Sequence, residues 1–145
     1  MAGGKEFERF GHKPQKKHVV LAAGSVQAGF PSPAQDYLES PLNLNDLLIP
    51  RPAATFFIRA AGDSMLEAGI CDGDILVVDR SLDGKDGNVV IAVVNNEFTV
   101  KILSKTKSVV KLKPANPKYK PIELHGDEEC RLWGVVTAVI HCLPH

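Results

Sequence analysis

The chain has 145 residues, 44% hydrophobic and 23% charged, with 17 basic residues matched by 17 acidic ones. That length allows one domain with a modest core, and the composition is that of an ordinary soluble globular protein. A net charge of zero gives no global argument for a nucleic-acid or membrane partner, and the longest apolar stretch, near Leu132 to Ile140, is far too short to span a bilayer.

Residues 1–25 read as a flexible arm. Met1 to Gly11 is glycine-rich and charged, and residues 1–20 hold five basic and two acidic side chains, net +3. No apolar segment separates these charges from the first small-residue site, so a secretory signal is not expected. Only His18 to Ala23 has the makings of a short strand. His12 and His18 lack partners at metal-ligand spacing. The arm continues through Val26-Gln27-Ala28-Gly29-Phe30-Pro31-Ser32-Pro33, where small residues at 28 and 29 would let a backbone approach closely. The prolines bias their predecessors towards extended geometry.

Further along, Asn43 to Ile49 reads as one or two helical turns with Asn43 as N-cap, stopped by Pro50 and Pro52. Strands are expected at Thr55–Ala60, Ile75–Asp79, Val89–Val94, Phe98–Leu103, Val109–Leu112 and Leu132–Ile140, rich in β-branched residues and separated by Asp-Gly, Asn-Asn and proline turns. The runs Ile75–Val78 and Val89–Val94 carry apolar residues at successive positions, so both faces should be buried. The expected fold is mainly β, a folded-over, largely antiparallel domain. Lys105, Lys107, Lys111, Lys113, Lys118 and Lys120 form a stretch without acids. It is a possible nucleic-acid or acidic-partner surface, set against the plainer reading of a solvated face protecting strand edges. Cys71, Cys130 and Cys142 form no CxxC and leave an odd one over, as expected in a reducing, cytoplasmic setting. A cysteine nucleophile with His125 or His141 as base has no spacing to support it. His141, Cys142 and His145 read as a polar chain end, so neither metal nor cofactor is expected.

Two stretches carry the chemistry. Ala61-Gly62-Asp63-Ser64-Met65 sets a serine on a turn leading out of an apolar run, and Glu97-Phe98-Thr99-Val100-Lys101 sets a lysine 37 residues later on an alternating strand. A serine hydroxyl needs an adjacent base to attack an amide. A lysine serves once burial removes its charge, a known variant of serine–histidine logic. Glu97, Thr99 and Lys101 share a strand face, which would have to become covered for the lysine to act. Each stretch alone also fits an ordinary turn and a solvated strand lysine.

Taken with the peptide around Ala28-Gly29, these stretches resemble the UmuD family of SOS mutagenesis proteins, whose core is shared with LexA-type self-cleaving repressors. The matching words are AGFPSPAQDYLE, LNLNDLLI, ATFFIRAAGDSM, DGDILVVDRSL, NEFTVK and WGVV, in order from about Val26 to Val139. The resemblance implies a LexA/UmuD-type peptidase fold that cuts its own Ala28–Gly29 bond. Ser64 would be nucleophile and Lys101 general base, with the backbone N–H groups of Ser64 and Met65 as oxyanion hole. Residues 1–28 would be removed and 29–145 kept. Alanine at 28 is the LexA-type choice where UmuD proteins often carry cysteine. The implied partners are a RecA-type recombinase filament on single-stranded DNA, a second copy in a homodimer, and an error-prone translesion polymerase of the UmuC type (Y family). A LexA-like repressor would need a helix-turn-helix domain, for which 28 residues are too few, so sequence-specific DNA binding is not expected. A signal-peptidase-like enzyme would need a membrane anchor. A non-enzymatic β module binding nucleic acid or protein through the lysine-rich stretch is the alternative from another class.

Overall fold

A computed structural model describes residues 20–22, 39–124 and 130–145. Two units divide the chain, Met1–Leu47 and Leu48–His145. In the first, strand β1 (Val20–Ala22) pairs antiparallel with β2 (Glu39–Pro41). Helix α1 (Leu44–Leu48) follows, with the expected cap: Asn43 Oδ1 accepts the Asn45 N–H at 2.9 Å. No helix among the described residues is long and apolar enough to cross a membrane.

The second unit is a seven-stranded open sheet built from β3 (Thr55–Arg59), β4 (Ile75–Asp79), β5 (Val89–Val94), β6 (Glu97–Lys105), β7 (Val110–Lys113), β8 (Ile122–Leu124) and β9 (Cys130–Ile140). Their order is β3-β4-β9-β5-β6-β7-β8, every pair antiparallel. The largely antiparallel β expectation holds, and the six expected strands form within a few residues of their expected bounds. β2 and β8 were not foreseen; at three residues each they offer too little alternation to read. β5 and β6 join through Asn95-Asn96, both at positive φ (49° and 66°). This is the two-residue turn whose twist suits a hairpin and whose dihedrals asparagine tolerates.

Alternation along β5 divides the core. Ile91 joins Leu76, Val78, Met65 and Ile70 in one cluster, while Val90 and Ala92 join Leu103, Leu112 and Val135 in another. The apolar run Val89–Val94 is thus buried on both sides. β9, between β4 and β5, shifts register twice, opposite Val77/Val78 and Ile91/Ala92; such extra residues bend a strand. Trp133 lies at the second shift. Its ring meets Phe56 and Phe98 edge-on at 5.2 and 5.6 Å and carries the Arg80 guanidinium at 4.4 Å.

At the end of β4 the buried carboxylate of Asp79 gathers three donors. Ser81 gives its hydroxyl (2.6 Å) and N–H (2.8 Å), and Arg51 its Nε–H (2.6 Å). The Ser81 hydroxyl above all, then the Ser81 amide and Arg51, hold this carboxyl below its ordinary pKa against the opposing cost of burial. A carboxyl depressed in the fold adds stability that is fully present above its unfolded pKa of about 3.9 and lost as pH falls through the folded value. Asp79→Asn is therefore expected to lower the urea midpoint at pH 7. The gap from the parent should narrow as the pH is taken below about 4; an equal gap at pH 7 and pH 2.5 would count against this account.

Candidate active site

β3 ends at Arg59, and the chain is pinned at once: the Ala60 N–H donates to Asp74 O and the Gly73 N–H to Ala60 O, each at 2.8 Å. Gly62 then turns through φ +85°, a region that a side chain would strain. Its N–H donates to Asp72 Oδ1 at 2.7 Å. Ser64 follows, half-buried, and Met65, 2% exposed, plugs the core beside it. A short 3-10 turn, Leu66–Ala68, closes at Gly69 (φ +80°). An apolar anchor next to the serine fixes the turn while leaving the hydroxyl at the surface.

A distant segment braces this turn. The Ala115 N–H donates to Ser64 O and the Glu67 N–H to Ala115 O, both at 2.8 Å. Asn116 Nδ2 donates to Asp63 O at 2.8 Å, and the Tyr119 hydroxyl donates to the Asp63 carboxylate. That last bond and the carboxylate charge push the Tyr119 phenol above its ordinary pKa. Ala115, Asn116 and Tyr119 lie inside the lysine-rich stretch. Five of those lysines are exposed and Lys111 is half-buried on β7, paired across to Glu123. The stretch supports the serine turn through its uncharged residues. Only Asn116-Pro117, a turn dipeptide, hinted at this.

Lys101 comes from β6, opposite Val90 of β5. Its Nζ donates to Thr99 Oγ1 at 2.9 Å, Val100 O at 3.1 Å and Ser64 Oγ at 3.3 Å. The serine and lysine, 37 residues apart, are thus within hydrogen-bond reach. Burial alone lowers the lysine pKa from its usual 10.5. An ammonium has three N–H donors, and three oxygens meet them here. When a proton leaves, Thr99 Oγ1 and Val100 O can keep the two N–H groups, leaving the lone pair towards Ser64 Oγ–H. That is the geometry a general base needs. Thr99, read before as a strand-face neighbour, helps aim the amine, and the partial cover of Lys101 includes contacts from Ser64 and its own strand.

The dyad opens onto a groove lined by Ile58, Ala60, Ala61, Thr99 and Val100. β3 is an outer strand of the sheet. β7 pairs with β6 only from Ile102 to Lys105, so Glu97–Lys101 has a strand partner on one side only among the described residues. Two strand edges that carry no pairing strand among the described residues thus border the serine, a form that accepts an extended peptide. The Ser64 and Met65 amides donate to no acceptor among the described residues, leaving them available to a developing oxyanion. Ala28 and Gly29 lie outside the described residues. His141 is more than a loose chain end: its Nδ1 lies 2.5 Å from Asp74 Oδ1, at the far end of β4 from Asp79.

Comparison with known proteins matches residues 20–137 to the family described as Peptidase S24-like. The chain is 52% identical over 129 residues to Protein SamA of Salmonella typhimurium, covering 89% of both. It is 48% identical over 122 residues to Protein ImpA of Escherichia coli, covering 83% of this chain and 82% of the relative. To Protein MucA of Escherichia coli it is 45% identical over 114 residues, covering 77% of each.

Proposed function

From the premise that this chain belongs to the Peptidase S24-like family, in its UmuD-type branch, we propose that it is a serine peptidase acting on its own Ala28–Gly29 bond. The observation that carries this reading is the Lys101 Nζ–Ser64 Oγ contact of 3.3 Å beside a groove with open backbone edges. Neutral Lys101 takes the Ser64 proton as Oγ attacks the Ala28 carbonyl carbon, and the oxyanion accepts from the Ser64 and Met65 amides. The lysine returns the proton to the Gly29 nitrogen as the C–N bond breaks, leaving an ester between Ala28 and Ser64. Water, deprotonated by the same amine, then releases residues 1–28 and restores the serine. The product from Gly29 to His145 has 117 residues (145 less 28).

UmuD-type membership sets this chemistry in SOS mutagenesis. In this reading a RecA-type filament on single-stranded DNA promotes cleavage by favouring entry of the Ala28–Gly29 peptide into the groove, since the dyad already holds the catalytic groups. The shortened protein then serves, as a cytoplasmic homodimer, a Y-family translesion polymerase of the UmuC type. Incubating the pure protein with a recombinase–ssDNA–nucleotide complex and measuring intact mass tests the core of this proposal. One new species starting at Gly29 is expected. Absence of cleavage would favour a non-enzymatic β module.

The groove also predicts a size limit at the bond. A strand entering between two edges brings its backbone against the Ser64 turn, so Gly29→Glu is expected to cut processing by at least about 100-fold, the scale of a misplaced reacting bond. Ala28→Cys should be processed normally. A new N-terminus anywhere other than Gly29 would displace the bond from this position.

A further inference from the structure

A second constellation lies at the opposite end of β4 from Asp79. Ile75 of β4 pairs with Ile140 of β9, so the next residues outward, Asp74 and His141, face each other across the ladder. Cys71 joins them through a tight turn: the Asp74 N–H donates to Cys71 O at 3.1 Å, the Cys71 N–H donates to Asp74 Oδ2 at 2.8 Å, and Gly73 supplies φ +86°. A donor atom from each of Cys71, Asp74 and His141 lies within 4.8 Å of the other two. Asp74 is only 4% exposed, whereas Cys71 is half-buried and the His141 side chain is 47% exposed.

We propose that Cys71, Asp74 and His141 form a binding site for a divalent transition-metal ion of the zinc class. The donors are one sulfur, one oxygen and one nitrogen. A thiolate and an imidazole together select zinc-like ions over magnesium or calcium, which take oxygen ligands. Zinc ligands sit about 2.0–2.3 Å from the ion, and donors within 4.8 Å of one another are near enough to converge on one ion. Two ligands are fixed by the turn and the third by strand register. The carboxylate is buried and already turned towards the imidazole. The exposed sides of Cys71 and His141 give an ion access from solvent and leave room for a water as fourth ligand. Ligation uses the thiolate of Cys71, the carboxylate of Asp74 and an unprotonated Nδ1 of His141.

The site shares no residue with the peptide groove but is wired to the serine turn. Ala60 exchanges backbone hydrogen bonds with Gly73 and Asp74, and Asp72 holds the Gly62 amide. Metal binding would therefore stiffen the turn that carries Ser64 from behind. This site does not depend on Ser64 being a nucleophile.

Cobalt(II) titration of the full-length protein tests it directly. One equivalent should produce a thiolate-to-cobalt charge-transfer band with the visible absorption of a tetrahedral ion, and zinc should abolish both. Cys71→Ser should remove the charge-transfer band. His141→Gln should weaken binding at least about tenfold, the lower end of what losing even a supporting group costs a metal site. Cys142→Ser should change neither, with circular dichroism confirming that all three variants are folded. No charge-transfer band, a band that survives Cys71→Ser, or one lost with Cys142→Ser would each overturn the assignment.

Discussion

Ser64→Ala protein is expected to release no fragment beginning at Gly29, with or without a recombinase filament. Removing the nucleophile from a serine peptidase costs on the order of 10⁴–10⁶-fold, because the remaining groups cannot form the acyl intermediate. The fold should scarcely notice. The turn is held by backbone bonds from Ala115, by Asn116 on Asp63 O and by buried Met65, while the hydroxyl contributes one long contact with Lys101. The change in stability should stay within about 0.5 kcal/mol, as for most substitutions that touch no special feature. Intact mass and a thermal melt on one sample separate the two effects. Processing of the Ser64→Ala protein at the parent rate would end the assignment.

Lys101 should govern the pH dependence of the reaction. The ammonium is the resting form and cannot accept the serine proton, so the rate follows the neutral fraction. That fraction rises about tenfold per pH unit until the lysine pKa is reached. Burial lowers that pKa below 10.5, so the climb should level off at a lower pH than a solvated lysine would give. Lys101→Ala should be inactive at every pH. Lys101→Arg should be equally inactive despite its similar length, because a guanidinium keeps its charge and offers no lone pair. A histidine base would instead give a rate rising through about pH 6–7 and then flat. A profile already flat by pH 8, or an active Lys101→Arg protein, would remove the lysine from the mechanism.

Much of this arrangement is legible in the chain before any coordinates. The β-branched runs at β4 and β5 declare their burial on both faces because no polar residue interrupts them. Asn43 and Asn95-Asn96 announce a cap and a hairpin turn through local chemistry. Ser64 and Lys101 are different, since neither stands out from ordinary surface residues, and their pairing was expected only through resemblance to a family. What stayed hidden depends on contacts between distant segments. Asn116 and Tyr119 reach Asp63 across more than fifty residues, and their neighbouring lysines present a louder but misleading signal. Cys71 and His141 gave no sign of belonging together. Their spacing along the chain carries no ligand pattern; β-sheet register brings them together across it.

The hairpin arm that carries the lysine also limits how the gene encoding it can change. Side chains alternate along a strand, so inserting or deleting one codon between the Asn95-Asn96 turn and Lys101 would send the amine to the opposite face. Two codons would restore the face but move the amine by about 6.6–6.8 Å along the strand, beyond reach of the serine. The identity of exposed Glu97 is open to drift, but the count of residues is not. Between the turn and Lys101 frame-preserving insertions or deletions are not tolerable, so variation in length must be taken up in connections that do not set the position of Lys101.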